Sequence, residues 1–248
     1  MRLIKLLFSI LVATSVVLAD DLNGPGAIAS LDISVIEQAK DVYFNYLMNV
    51  LKNVNIPDID FHGGYIHQNT FALTEAASNV QVSADPENNG LVLSVDSLAA
   101  NFHSSSFRYK LSILLCKGSV SVDISHMTIR ATIGVTTQKL ADGKTVPSFS
   151  IPKVYIDLPK DHLNIHVHGN VVAKIADAFK KLFIGTIRDE ITKNLKDVLV
   201  KQVPPQLNKI VADQLGFTEV YKGLDLDWSL PVPPKITASL LQFGVKGL

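Results

Sequence analysis

Apolar residues recur along this chain at two spacings, and the spacing changes at defined places. From Ile36 the positions Ala39, Tyr43, Leu47, Val50 and Leu51 step by three and four, which lines one face of a helix. Ser34 and Glu37 have the spacing of a capping box, so this helix is predicted to start at Ser34. It is predicted to end near Asn53, ahead of Ile56-Pro57, because a residue before proline avoids helical geometry. From Leu91 the period becomes two. Leu91, Leu93 and Val95 alternate around Ser94, and Phe107, Tyr109, Leu111 and Ile113 alternate against Arg108, Lys110 and Ser112. Val120, Val122 and Ile124, then Ile156, Leu158, Ile165 and Val167, continue the same pattern. This is the signature of antiparallel strands with one covered face. Asp142-Gly143 reads as a hairpin turn.

The helical period returns after Gly169-Asn170, with Asn170 as the expected N-cap. Ile175, Phe179, Leu182, Phe183, Ile187, Ile191, Leu195, Val198 and Leu199 form the stripe of a long second helix. Pro204-Pro205 should break or kink it, and a shorter helical piece should run to Leu215 and stop at Gly216. Leu224, Leu226, Trp228 and Leu230, then Ile236, Ala238 and Leu240, resume alternation. The order helix, strands, long helix, strands predicts an α+β fold in which a twisted antiparallel sheet wraps long helices. No repeat or low-complexity linker divides it.

The amino terminus sets the expected compartment. Arg2 and Lys5 precede an apolar run from Leu6 to Leu18, and Val17 and Ala19 are small residues suited to signal peptidase. Residues 1–19 therefore read as a secretory signal peptide and 20–248 as a single secreted domain. The run is shorter than the ~20 residues of a membrane span. The whole chain has 23 basic and 23 acidic residues, and the leader removes only basic ones. A near-neutral remainder does not suit generic nucleic-acid binding. Cys116 is the one cysteine, so no internal disulfide forms, and its apolar neighbours mark it as a buried small hydrophobe rather than a reactive thiol.

Catalytic signatures are missing: there is no Gly-x-Ser-x-Gly elbow, phosphate-binding loop or dinucleotide fingerprint. The chain is read as a non-enzyme with no cofactor. His166 and His168 point the same way on one strand, so a metal pair is geometrically open to them, yet no third ligand is evident. The plainer reading is two solvent-facing histidines. Lys174, Lys180, Lys181, Arg188, Lys193, Lys196 and Lys201 lie among Asp177, Asp189, Glu190 and Asp197 on the second helix, which reads as a solvated face with internal ion pairs. The rival reading is a weak docking surface for anionic headgroups.

A collinear set of segments carries a resemblance. Gly24-Pro25-Gly26 precedes the first strand and helix, and Ile56-Pro57-Asp58 follows that helix. Asn89-Gly90-Leu91 opens the strand region, His166-Val167-His168 leads to Phe179-Lys180-Lys181, and Leu230-Pro231-Val232-Pro233-Pro234 runs to Val245-Lys246-Gly247. In this order they resemble the amino-terminal domain of the bactericidal/permeability-increasing and lipopolysaccharide-binding protein family, across nearly the whole chain. The single-domain, palate-lung-and-nasal-epithelium type of member is the nearest in plan. The resemblance implies an elongated barrel-like domain, a sheet wrapped around a long helix, with an apolar pocket for the acyl chains of phospholipid.

It also implies where such chains lie. They would contact Ile36, Ala39, Tyr43 and Leu47 of the first helix and Ile175, Phe179, Leu182, Phe183 and Ile187 of the second. Arg108, Lys110, Lys180 and Lys181 would touch headgroups or a lipid surface. Two departures qualify this. The family's disulfide cannot form, and the regions matching the lysine-rich tip loops of bactericidal members are Phe61–His67 and Asn101–Lys110, with few fixed positive charges. The expected function is secreted lipid binding, with phospholipid or lipopolysaccharide as partner. The alternatives are an innate-defence antibacterial protein that binds endotoxin and a surface-active protein with a closed pocket; insect carriers of the takeout type share a related architecture but begin with a cysteine pair absent here.

Overall fold

The structure is a computed structural model. It describes residues 16–18, 27–38, 45, 48–51, 54–75, 79–111, 114–141, 143–170, 173–214, 217–221, 224–227, 230 and 232–245. In chain order the strands are β1 (Val16–Leu18), β2 (Ala27–Asp32), β3 (Ile59–Phe61), β4 (Gly64–Glu75), β5 (Asn79–Asp85), β6 (Gly90–Leu111) and β7 (Leu114–Lys139). They continue as β8 (Thr145–Asp157), β9 (Leu163–Gly169), β10 (Phe217–Tyr221), β11 (Leu224–Asp227), β12 (Lys235–Ile236) and β13 (Leu240–Val245). The helices are α1 (Ile33–Gln38), α2 (Ala173–Lys201) and α3 (Val203–Gln214).

One hairpin is the spine of the molecule. β6 has 22 residues and β7 has 26, and they pair antiparallel from Gly90↔Gly134 to Leu111↔Leu114. The apolar runs that the alternation presents as separate strands, Leu91–Val95 and Phe107–Leu111, are two halves of β6. The alternation hides this because the ladder shifts register midway. Ser97 and His126 have φ of 59° and 55°, and the irregularities between Val95, Leu98 and Ala100 change which face each residue occupies. Each half is flanked separately. β4 and β9 cover the half near the 111–114 turn, while β5 and β8 cover the other. The seven strands form a mixed-length antiparallel sheet that curls as a half-barrel, with α2 laid along it.

A smaller sheet, β1-β2-β13-β12, joins residues from both ends of the chain. β1 falls within the expected leader and sits at the edge, so the β2–β13 ladder does not depend on it. Asn89 ties this sheet to the large one. Its Nδ2 donates to the carbonyls of Val135 and Pro234 at 2.8 Å each, and its Oδ1 accepts from Ile236 N–H at 2.7 Å. Its φ of 44° aims the amide into that junction, a conformation asparagine adopts more readily than most residues.

Two local expectations change, the start of the first helix and the place of the break after the second. The first helix begins one residue before Ser34, because Asp32 supplies the cap: its Oδ1 accepts from Ser34 N–H at 2.8 Å. Hydrogen bonds from the Ser34 hydroxyl and backbone hold the Asp32 carboxyl below its usual range. Helical backbone recurs at residues 48–51, but most of the span between, Ala39, Tyr43 and Leu47 included, lies outside the described residues. Asn170 bonds to strand, and residues 171–172, which its expected cap would serve, lie outside the described residues. Its Oδ1 accepts from Lys117 N–H at 2.7 Å and its Nδ2 donates to Leu115 O at 3.2 Å, so the side chain extends the β7–β9 ladder. The helix break falls at Gln202, with Pro204 and Pro205 in the first turn of α3, where a missing N–H costs nothing. The expected end at Leu215-Gly216 lies outside the described residues, as does Asp142 of the β7–β8 turn.

α3 closes over the edge strand β8. Asn208 Oδ1 accepts from Phe149 N–H at 2.6 Å and its Nδ2 donates to Phe149 O at 3.0 Å. The amide thus takes the place of a neighbouring strand. Cys116 is free and buried on the inner face of β7.

Candidate functional site: the apolar interior beneath the long helix

α2 places Phe183, Ile187, Ile191, Leu195 and Leu199 four residues apart, and all five are buried. A spacing of four keeps them on one stripe of the helix. The stripe lies over the inner face of the curled sheet. Rows of side chains cross that face in register: Phe102 on β6 is level with Val122 on β7 and Ile165 on β9, and Ala100 is level with Ile124 and Leu163. All are buried in one continuous apolar cluster with the α2 stripe. The outer face of the same strands reads His103, Ser121 and His166. Alternation therefore separates the interior from solvent one residue at a time.

The interior has an aromatic end. Phe61 on β3 and Tyr109 on β6 meet Phe183 of α2, with ring centroids 4.4 Å and 5.3 Å from it. Phe183 is buried, whereas Phe61 and Tyr109 are half-buried. Just beyond them β6 ends at Leu111 and β7 begins at Leu114, which is 51% exposed. Arg108, Lys110 and Lys117 are exposed on the adjoining strand ends.

Of the residues expected to contact acyl chains, Phe183 and Ile187 lie together in the large cluster. Ile36 does not join them. It is buried in a second cluster with Leu31, Ile33, Val135, Ile236 and Leu241, under the small sheet. Ile175, Phe179 and Leu182 are on α2, but their side chains, like that of Lys181, lie outside the described set. Lys180 is half-buried on α2, and Arg108 and Lys110 are exposed on β6. Sequence reasoning did not single out Phe61 or the place of Tyr109 against it. The signal available was the period of β6, which puts Tyr109 on the same face as Phe107.

The polar side chains settle into local pairs. Arg188 meets Asp189 at 2.7 Å, Lys201 meets Asp197 at 2.9 Å and Lys193 meets Glu190 at 3.4 Å, as expected of a solvated helix face. His166 Nε2 lies 3.1 Å from Asp123 Oδ2. Among the described residues no group of three or more His, Cys, Asp or Glu side chains converges to hold a metal ion. Among the same residues no helix is long and apolar enough to cross a membrane.

The chain superposes on the crystal structure of lipopolysaccharide binding protein with a TM-score of 0.72, over 91% of its own length and at 19% identity. The fold is that of lipopolysaccharide-binding protein. The chain spans about half of that structure, 50% of its length. Takeout 1 of Epiphyas postvittana is a weaker likeness, with a TM-score of 0.45, 14% identity and coverage of 72% of this chain and 89% of that one. No family model matches the sequence, and no curated protein matches it either. The curled sheet, the long helix and the apolar interior between them are the α+β architecture expected of the lipopolysaccharide-binding fold.

Proposed function

We propose that this protein is a secreted, non-enzymatic lipid carrier that holds the acyl chains of phospholipid in the interior between α2 and the curled sheet. The observation that carries this is the continuous apolar cluster enclosed by Phe183 to Leu199 and the inner face of β6, β7 and β9, in a fold shared with a protein named for binding lipopolysaccharide. Ile187, Phe183 and the α2 residues ahead of them, Ile175, Phe179 and Leu182, would contact the chains. Chain burial would set the affinity. Each methylene contributes ~0.8 kcal/mol, so a long acyl chain supplies on the order of 10 kcal/mol before ordering costs. Exposed ion pairs contribute roughly 0–1 kcal/mol. Arg108, Lys110 and Lys180 would therefore tune headgroup preference rather than determine binding.

Phospholipid is favoured over endotoxin as the main ligand because the turn end carries few fixed positive charges. On the leader reading, the secreted form would start at Asp20. Native mass spectrometry of the secreted protein, followed by denaturing extraction, tests the proposal. A stoichiometric mass excess that extracts as phospholipid is the expected result. A clean mass that stays unchanged after incubation with phospholipid vesicles and with endotoxin would reject it. Extraction of lipopolysaccharide instead would move the protein to the endotoxin-binding reading.

A further inference from the structure

We propose that the turn Lys160–His162 is an acid-operated plug in the side of the molecule: the paired rings of His126 and His162 hold it in place near neutral pH, and protonation of both parts them and speeds release of lipid from the interior. This rests on the carrier reading above and adds a route and a trigger to it.

The plug fills a break in the sheet. β8 and β9 lie end to end along one side of β7, the side that β6 does not occupy. β8 pairs with residues from Thr128 to Lys139, and β9 pairs with residues from Gly118 to Ile124. Among the described residues, Ser125, His126 and Met127 have no strand partner on that side. At ~3.3 Å per residue the break is about 10 Å long. The chain crosses it as one 3-10 turn, Lys160–His162, which packs against β7 and α2. The backbone bonds described for this turn are local, from His162 N–H to Pro159 O at 3.1 Å and from Leu163 N–H to Lys160 O. Leu158 and Leu163, on either side of it, are buried in the large cluster, as is Met127 at the break. Lifting the turn would draw Leu158 out of that cluster. Leu158 lies one residue beyond the last β7–β8 pair, Thr128↔Asp157, so no ladder bond has to break.

The side-chain tie between the turn and β7 is imidazole on imidazole. The rings of His126 and His162 are 4.6 Å apart between centroids and tilted by 41°, and Ser125 Oγ lies 3.4 Å from His162 Nδ1. His126 takes this place from a left-handed backbone, φ 55°, which persists only where its surroundings hold it. Histidine gains charge between about pH 8 and pH 5. One proton can be shared by the pair and Ser125. A second sets like charges against each other at the ring spacing, so the closed pair takes up fewer protons than the parted one and acid favours parting. Elsewhere the sign is reversed. His67 lies 2.9 Å from Asp60 Oδ1 and His166 lies 3.1 Å from Asp123 Oδ2, contacts that protonation strengthens. His62, His103 and His168 are exposed. The charged groups nearest the pair in the chain are Lys160 and Asp161 on the turn, Asp157 at the end of β8, Asp123 and Arg130 on β7, and Asp96 on β6. The described ion pairs of α2 close within the helix, and its other described charges are Lys180 and Lys196. Among the described residues none of these groups forms an ion pair with His126 or His162.

The probe is phosphatidylcholine with a fluorescent acyl chain, loaded onto the full secreted chain. Its release to excess unlabelled phosphatidylcholine vesicles is followed at about pH 7.5 and about pH 5. For wild type the acid-to-neutral ratio of rates should be about ten, the order of effect of two unit charges at this spacing in a partly wet site. His126→Asn, which tolerates the left-handed φ, and His162→Gln should each bring the ratio to about one, whatever they do to the rate at neutral pH. His166→Gln should keep the wild-type ratio. A wild-type ratio of one, or single variants at 126 and 162 that keep the full ratio, would overturn the plug while the carrier reading stands. Amide protection at residues 158–163, corrected for the intrinsic effect of pH on exchange, reads the same switch without lipid: it should fall in acid for wild type and hold in His126→Asn. If no lipid loads, the carrier reading fails and this measurement decides the plug, with unchanged protection overturning it. Should one variant not fold, the other decides.

Discussion

The two apolar clusters of this protein are held together in different ways. The large one lies between α2 and the curled sheet, and its members come from long elements that run the length of the hairpin. Its buried stripe repeats on every turn of the helix, from Phe183 to Leu199. The small one is made of short pieces from both chain ends, α1, β2, β12 and β13, resting on Val135. It is bounded by a polar junction at Asn89. Where long elements supply area, burial alone fixes the geometry. Where the pieces are short, directional hydrogen bonds must do so, because little apolar surface is available to specify one arrangement.

Truncation of a buried leucine in each cluster breaks the comparison most sharply. Leu195 and Leu31 are 0% and 1% exposed. Leu195→Ala should cost about 4 kcal/mol, near the upper part of the range for buried leucine, because two long elements cannot close the cavity. Leu31→Ala should cost about 2–3 kcal/mol, since the short strands around it can relax. Chemical denaturation of the two variants checks this, and equal losses would show that the small cluster is as rigid as the large one.

Asn89→Ala comes next. It removes two donated bonds and one accepted bond and leaves buried backbone groups unpaired, at a cost of about 2–3 kcal/mol. The change should appear as faster amide exchange in β2, β12 and β13 with β6 and β7 still protected. Uniform loss of protection would mean that the two sheets unfold as one unit.

Gly185 sharpens the comparison from the other side. It lies in the interior of α2, and a Cβ there would meet nothing within 4 Å. Gly185→Ala should raise stability by about 0.5–1 kcal/mol through helix propensity, read as a higher melting temperature. The acid response of Asp32 is the smallest effect. Its folded carboxyl titrates below its ordinary value because of its bonds to Ser34. It therefore contributes stability above the ordinary carboxylate value and loses that contribution as pH falls through the folded one. Asp32→Asn keeps a capping acceptor and should flatten this part of the acid limb without changing stability at neutral pH.

The sequence made the large cluster legible and the small one less so. The four-residue step from Phe183 to Leu199 and the alternation of Val120, Val122 and Ile124 survive into the structure because each residue keeps one face. Local spacing places Ile36 on the acyl-facing stripe of the first helix, because it continues into Ala39 and Tyr43. Its burial is instead decided by β13, which lies some two hundred residues on and cannot be seen in local periodicity. The length of β6 and β7 was hidden by the positive φ at Ser97 and His126, where the pattern changes phase without a turn residue to announce it. Asn89, Asn170 and Asn208 all turn side-chain amides into substitutes for backbone. Local sequence does not announce these bonds, because what each amide meets is set by tertiary structure.

The clasp on β8 bears on how these molecules behave when crowded. Both main-chain groups of Phe149 on the open side of that strand are already satisfied by Asn208. Pro147 and Pro152 lie on the same strand and have no N–H to offer. A strand arriving from another molecule would find an interrupted row of partners rather than a template. Growth of the large sheet from one molecule into the next is blocked along this side, so a concentrated solution of the protein should resist fibrillar assembly through β8.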